Sequence, residues 1–309
     1  MTPLPATLAI GELEVRRLGF GAMQLTGPGT WGPPRDPAEA RAVLRRAVEL
    51  GVTLIDTADA YGPETSERLI AEALFPYPAG LVVATKGGFV RPAPGRWAPD
   101  GRPEHLRQSC EASLRRLRLE RIDLYQLHAV DPQVPLEESL GALLELAAEG
   151  KIRHVGVCNV DEHQLERAVA AGPVVSVQNR LSLAERASEP LVERCAELGL
   201  GFVAWAPLAK GFLTRPHGAL ARVAKRRGAT PGQVALAWLL HRSPAIAVIP
   251  GTASVRHLEE NAVAARLVLE PRDLDELARL PLRRYRLRRA VRRVRGAARP
   301  VRALGRRRS

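Results

Sequence analysis

Four side chains at three places in the chain have the types and spacing to move a proton together. Asp56 and Tyr61 stand five residues apart in VTLIDTADAYGPETSE (52–67), Lys86 lies near the end of LVVATKGG, and His128 closes IDLYQLH. Tyrosine keeps its proton to about pH 10, so alone it is a poor acid near neutrality. A neighbouring ammonium such as Lys86 favours the tyrosinate and lowers that pKa. Asp56 would hold the lysine charged and oriented, because a buried ammonium without a counter-charge is costly. His128 can hydrogen-bond a substrate oxygen or help relay its proton. Together the four supply an acid aimed at a carbonyl oxygen while the carbonyl carbon receives hydride. They do not form a nucleophile–base–orienter set, and neither GxSxG nor HExxH occurs. A lone Asp or Lys at a strand end is more often a surface ion pair. The conjunction of four carries the reading.

Asp56, Lys86 and His128 each lie at the tip of a short run of strand composition, with Tyr61 in the loop after the first, and parallel α/β proteins build their sites at that edge. The elements around them repeat. TLAIGELEV reads as a hairpin turning at Gly11–Glu12, before the repeat begins. LGFGAMQL (18–25) reads as a strand, followed by the Gly/Pro-rich loop TGPGTWGPPRD and the helix PAEARAVLRRAVELG. VTLIDTA then pairs with TSERLIAEAL, LVVATKG with RPEHLRQSCEASLRRLRL, and IDLYQLH with PLEESLGALLELAAEGK. IRHVGVCN pairs with DEHQLERAVAAG, and VVSVQNR with SEPLVERCAELG. GFVAWAP leads through a loop to TPGQVALAWLLHR, and AIAVIPG with SVRHLEENAVAA completes eight. Eight strand–helix units predict an α/β protein of one domain over 1–281, a closed (β/α)8 TIM barrel with an N-terminal β-hairpin. A doubly wound open sheet is the competitor, disfavoured by the count of eight and the absence of a composition break. DLDELARL (273–280) reads as a last helix outside the barrel.

The 309 residues are 46% hydrophobic, ample for a core. Cys110, Cys158 and Cys195 are odd in number and without CxxC spacing, so neither a disulfide framework nor a zinc site is indicated, and no metal is expected. The start of the chain does not read as a signal peptide, no apolar run approaches the roughly 18 residues of a membrane span, and a cytoplasmic location is expected. The net charge of +13 belongs to one end. Residues 282–309 hold 13 of the 46 basic residues and no acid, which leaves 33 basic against 33 acidic residues elsewhere. For this Arg-rich tail the favoured reading is a solvated, disordered arm. A basic amphipathic helix on an anionic membrane and attraction to nucleic acid stay open.

IDTADAYG, ATKGG, LYQLH and IPGTASVRHLEEN resemble, in order and spacing, the signatures of the aldo-keto reductases, over roughly residues 8–281. The resemblance implies a (β/α)8 barrel that reduces an aldehyde or ketone with NADPH, NADH being the alternative cofactor. It gives Asp56, Tyr61, Lys86 and His128 the catalytic roles, with Tyr61 as proton donor. It places the nicotinamide carboxamide on Asn159 and Gln178, beside Cys158 where the family often has serine, and stacks the ring on Trp205. Gly251, Thr252, Ser254, His257, Glu260 and Asn261 match the adenosine-phosphate segment. Gly21, Ala22, Met23, Leu208 and Lys210 complete the expected cofactor contacts. Lysine and arginine, which flank the 2′-phosphate in well-known members, are replaced here by Gly251 and His257.

LGFGAMQLTGPGTWGPPRD, ALAWLLHRSP and VIPGTASVRHLEEN are most similar to the bacterial pyridoxal reductase-like (pyridoxine 4-dehydrogenase) branch, which makes pyridoxal the leading substrate expectation. Trp31, Phe89 and Trp97 are expected to line the substrate pocket. Packing on one another as lids is the other reading of these three. A nicotinamide-binding regulatory subunit with little turnover, and a protein acting on anionic surfaces through its tail, stand as alternative functions. The sequence leaves the oligomeric state open.

Overall fold

In the computed structural model, residues 6–280 are described. The Arg-rich tail, and with it every reading made for residues 282–309, lies outside them. A hairpin of β1 (Thr7–Ile10) and β2 (Leu13–Arg16) comes first. Eight parallel strands follow: β3 (Phe20–Gly21), β4 (Leu54–Asp56), β5 (Val82–Gly87), β8 (Ile122–Leu127), β9 (Ile152–Cys158), β10 (Val174–Arg180), β11 (Gly201–Trp205) and β12 (Ile246–Val248). Leu18 bridges Val248 in parallel, and the Gly19 amide donates to the Val248 carbonyl at 2.9 Å, so the first and last strands meet and the sheet closes.

The helices are α1 (Pro37–Glu49), α2 (Thr65–Leu74), α3 (Pro103–Leu117), α4 (Leu136–Ala148), α5 (Glu162–Ala171), α6 (Glu189–Leu198), α7 (Gly218–Arg227), α8 (Pro231–Arg242), α9 (Val255–Ala262) and α10 (Pro271–Ala278). Local chemistry starts them. Asp36 accepts from the Ala38 and Glu39 amides at the head of α1, whose first residue is Pro37. Thr230 and Gln233 form a reciprocal cap around Pro231 at the head of α8.

The barrel interior follows from the two-residue period of strands. Leu54, Val82, Leu124, Val203 and Ala247 pack together inside, closed below by Ile10, Leu13 and Val15 of the hairpin. The alternate residues Ile55, Val83, Tyr125, Val157, Phe202 and Val248 belong to the clusters under the helices. Continuing the inward row toward the strand ends gives Asp56, Lys86, Gln126 and Trp205. A period that buries Leu and Val at the bottom of the barrel thus delivers polar groups at its top.

Three readings need correction. LGFGAMQL is a strand only at Phe20–Gly21; Ala22–Leu25 is a 3-10 turn, whose three-residue repeat turns both Ala22 and Leu25 into the core. The connection after β11 contains α7, where Ala219, Leu220, Val223 and Ala224 recur at helical spacing and are buried. The loop after β5 is an antiparallel hairpin of β6 (Phe89–Ala93) and β7 (Arg96–Pro99), turning at Pro94–Gly95.

Candidate active site

Lys86 is 1% exposed. Its ammonium lies 2.7 Å from Asp56 Oδ2 and donates to the Thr57 carbonyl at 2.7 Å. The second carboxylate oxygen, Oδ1, accepts from Gln178 Nε2 at 2.7 Å and from Gln126 Nε2 at 3.5 Å. Gln126 Oε1 accepts from Gln178 at 3.3 Å and from the Cys158 thiol at 3.6 Å. Asp56 therefore joins four strands, with Gln126 as a member absent from the sequence-based expectation. A polar side chain at an inward position of an otherwise apolar strand is the signal for it.

Tyr61 and His128 face one another across this network, ring centres 5.7 Å apart and edge to face. Lys86 Nζ lies 5.2 Å from the centre of the Tyr61 ring. Burial pushes the Tyr61 hydroxyl up to about 12, and Asp56 adds to the rise; the pull of Lys86 offsets only part of it. The expectation of a tyrosine with a net lowered pKa is thus corrected: the phenol is firmly protonated in the resting site. For Lys86, burial opposes the charge, but Asp56 and then Tyr61 outweigh it and raise the ammonium. Burial, helped by Lys86, holds His128 well below its ordinary value, so it is neutral at pH 7. His128 Nδ1 is buried with no partner among the described residues.

Phe89 stands edge to face with His128 at 4.8 Å and with Trp97 at 5.5 Å, and Trp97 reaches Tyr61 at 6.3 Å. Phe89 and Trp97 thus pack with Tyr61 and His128 in one aromatic cluster. Trp31 lies on the neighbouring loop, 5.5 Å from the Arg91 guanidinium, which also lies 3.8 Å from the Trp97 ring.

The expected nicotinamide side is assembled too. Asn159 holds φ +58, donates to the His128 carbonyl at 2.9 Å, and accepts from Trp205 Nε1 at 3.1 Å. Its remaining amide hydrogen is a donor, and Gln178, with both hydrogens engaged, retains Oε1 as an acceptor. A donor beside an acceptor matches a carboxamide, so this set fits the cofactor. The buried Cys158 thiol is raised by burial and stays a neutral neighbour.

Gly21 pairs with Asp56 in register, and its amide donates to the Pro250 carbonyl at 3.4 Å, setting Gly21–Ala22–Met23 between the lysine network and the 251–261 segment. A Cβ on Gly251 would lie 2.7 Å from the Gly21 carbonyl oxygen, so the two backbones touch. Thr252 and Asn261 are buried and His257 is exposed, 3.0 Å from Arg256 Nη2. Gln233 Nε2 donates to the Glu260 carbonyl. Leu208 is half-buried and Lys210 exposed, on the loop after Trp205. Thr252 Oγ1 accepts from the Ser254 amide at 3.1 Å. The Val255 amide at the head of α9 is already taken by Glu39 Oε1 at 3.0 Å, a contact the sequence does not disclose.

A buried pair also backs the site. Glu67, fully buried on α2, accepts from Thr85 Oγ1 at 2.6 Å and from Arg116 Nε at 2.6 Å. Thr85 precedes Lys86, so this pair anchors α2 and α3 to the strand that carries the lysine. A glutamate just ahead of the apolar run RLIAEAL is its only trace in the sequence.

A closed barrel with a Lys–Asp–Tyr–His cluster at its strand ends is the architecture of a nicotinamide-dependent oxidoreductase. The Aldo/keto reductase family matches residues 17–280, and the chain belongs to that family. Over 277 residues it is 42% identical to pyridoxine 4-dehydrogenase of Escherichia coli, covering 88% of this chain and 96% of that protein. It is 46% identical to an uncharacterized oxidoreductase of Schizosaccharomyces pombe, over 85% and 86% of the two chains. The crystal structure of an aldo-keto reductase from Klebsiella pneumoniae in complex with NADPH superposes with a TM-score of 0.76 at 29% identity, covering 89% and 95%. The protein is accordingly an NAD(P)-dependent oxidoreductase of the carbonyl–alcohol pair. No described helix is long and apolar enough to cross a membrane.

Proposed function

We propose that the protein reduces an aromatic aldehyde of the pyridoxal type to its alcohol, using NADPH as the hydride source and Tyr61 as the proton donor. The observation that carries this reading is the Tyr61 hydroxyl, kept protonated by burial in an aromatic cluster with the Lys86 ammonium against its ring. The bound cofactor supplies hydride to the carbonyl carbon. Tyr61 gives its proton to the carbonyl oxygen, and Lys86 stabilises the tyrosinate that results. The charge develops only as the proton leaves, so the lysine favours the transition state over the ground state. Asp56, fixed by Gln178, keeps Lys86 charged and aimed. Neutral His128, edge to face with Tyr61, is placed to hydrogen-bond the same substrate oxygen. Phe89 and Trp97 present ring edges and faces suited to a flat heteroaromatic aldehyde. The 42% identity to pyridoxine 4-dehydrogenase supports the same substrate class.

The test is NADPH oxidation by the full-length protein across a panel of aldehydes and ketones that includes pyridoxal. No turnover of any carbonyl would sink the reading. Turnover of aliphatic aldehydes alone would remove the substrate class and keep the reaction.

A further inference from the structure

Arg91 lies on β6, is 9% exposed, and forms no ion pair with a carboxylate among the described residues. Its guanidinium is spent on backbone carbonyls instead. Nε donates to Arg96 O at 3.0 Å, Nη1 to Thr30 O at 2.9 Å and to Ala60 O at 2.8 Å, and Nη2 to Gly29 O at 3.2 Å. Three of these acceptors immediately precede an aromatic residue of the site: Thr30 precedes Trp31, Ala60 precedes Tyr61, and Arg96 precedes Trp97. The same cation lies 3.8 Å from the Trp97 ring centre and 5.5 Å from that of Trp31. One side chain therefore ties together the loop after β3, the loop after β4 and the hairpin after β5.

We infer that Arg91 is a positioning residue, which sets Tyr61, Trp31 and Trp97 in one geometry by holding the carbonyl before each; the inference rests on the role proposed above for Tyr61. Four of the five guanidinium hydrogens are engaged, which leaves little for a substrate anion and argues against a binding role. The planar fork explains why the residue is arginine. An ammonium at the same place cannot reach carbonyls on three segments at once or stack on an indole in the same way. The tie also restrains an awkward backbone: Thr30 holds φ +58, a conformation that a β-branched residue adopts only when its surroundings impose it. The Gly32 amide donates to the Gly62 carbonyl at 2.8 Å, a second link between the same two loops just beyond Tyr61. Arg91 closes the other side of that junction.

The full-length protein is compared with Arg91→Ala and Arg91→Lys for kcat, KM, NADPH affinity by calorimetry, and the near-ultraviolet circular dichroism of the indoles. Misplacement of a reacting group by about an ångström costs on the order of 100-fold in rate, so both variants should lose roughly 10- to 100-fold in kcat/KM. NADPH affinity should be unchanged, because the carboxamide and phosphate segments lie on other strands. The indole dichroism should fall in both variants, by the amount that Trp97→Phe and Trp31→Phe assign to those two rings. Methylguanidinium at millimolar concentration should restore part of the activity of Arg91→Ala and none of that of Arg91→Lys. Wild-type kcat/KM with unaltered indole dichroism in Arg91→Ala would overturn the inference. So would equal loss of activity and cofactor affinity, which is general damage to the fold. If the wild-type protein turns over no carbonyl, the reading of Tyr61 has failed by itself, and the indole dichroism alone then decides for or against Arg91.

Discussion

Gln178 donates to Asp56 Oδ1 at 2.7 Å, on the side of the carboxylate opposite Lys86. A residue expected to serve the nicotinamide is thus also the second support of the lysine's counter-ion. Lys86, Asp56 and Gln178 are thus one hydrogen-bonded unit, so a change at Gln178 should be felt at the lysine. Gln178→Glu tests this. At pH 8 the new carboxylate would face Asp56, and like charges in contact are strongly unfavourable. At pH 5 the substituted side chain, once protonated, can donate to Asp56 much as the amide does. The variant's deficit in kcat/KM should therefore shrink as pH falls from 8 to 5, and a deficit independent of pH would show that the 2.7 Å contact is dispensable.

Tyr61 and His128 make a prediction about direction. With the phenol pushed up to about 12 by burial, the acid form predominates throughout the neutral range. Reduction, which needs that form, should be nearly flat from pH 6 to 9. Alcohol oxidation needs the tyrosinate and should rise about tenfold per pH unit through the alkaline range. His128, held low by burial, should add no limb near pH 6.5. Tyr61→Phe should lower kcat for reduction by about 10²–10⁴ and leave NADPH affinity intact. A variant that keeps more than about a tenth of the activity would remove Tyr61 from the role.

The barrel was legible because its eight strand–helix units declare themselves locally, through short apolar runs and periodic helices. The cluster of Asp56, Lys86 and His128 was legible because it stands at strand ends. What stayed hidden depends on pairs distant in sequence. Gln178 and Asp56 are 122 residues apart, Glu39 and Val255 are 216 apart, and no local pattern announces either contact. The sign of the Tyr61 shift escapes the sequence for a related reason. The lysine beside it is visible in the motif, whereas the enclosing walls of Phe89 and Trp97, which remove water, come from a hairpin that reads as a loop. The short α7 is hidden because a polar connection can conceal a helix whose apolar face is only four residues wide.

Glu39 makes cofactor preference testable. Its carboxylate accepts from the Val255 amide at the head of α9, in the segment that the family resemblance matches to the adenosine phosphate. A carboxylate there competes with the phosphate for the positive helix end and repels it. Glu39→Gln keeps the hydrogen bond and removes the charge. NADPH should bind about tenfold more tightly, corresponding to roughly 1.4 kcal/mol, while NADH changes little. Calorimetric titration of both cofactors checks it. An equal gain for NADH would mean that the 2′-phosphate does not approach Glu39.

Asp59 couples stability to pH. It borders an open groove of about 340 Å³ with His105, Ser109 and Arg116, and its Oδ1 has no partner among the described residues. Burial, reinforced by Glu67, raises it from 3.8 to about 7, against the pull of Arg116 and the hydrogen bonds of Ser109 and Ala60. The folded state therefore holds a proton that the unfolded chain gives up near pH 4. The group costs nothing below about pH 4, and the cost grows as pH rises until about pH 7, where the folded state also ionises. Asp59→Asn keeps the shape and the accepting oxygen without the ionisation. Asp59 is half-buried, so the gain in stability at pH 8 should fall below the roughly 4 kcal/mol that ~1.36 kcal/mol per pH unit would give, and it should be small at pH 4. Urea unfolding at the two pH values measures the difference. A gain of the same size at both would locate the effect in packing and free Asp59 of any part in the pH response.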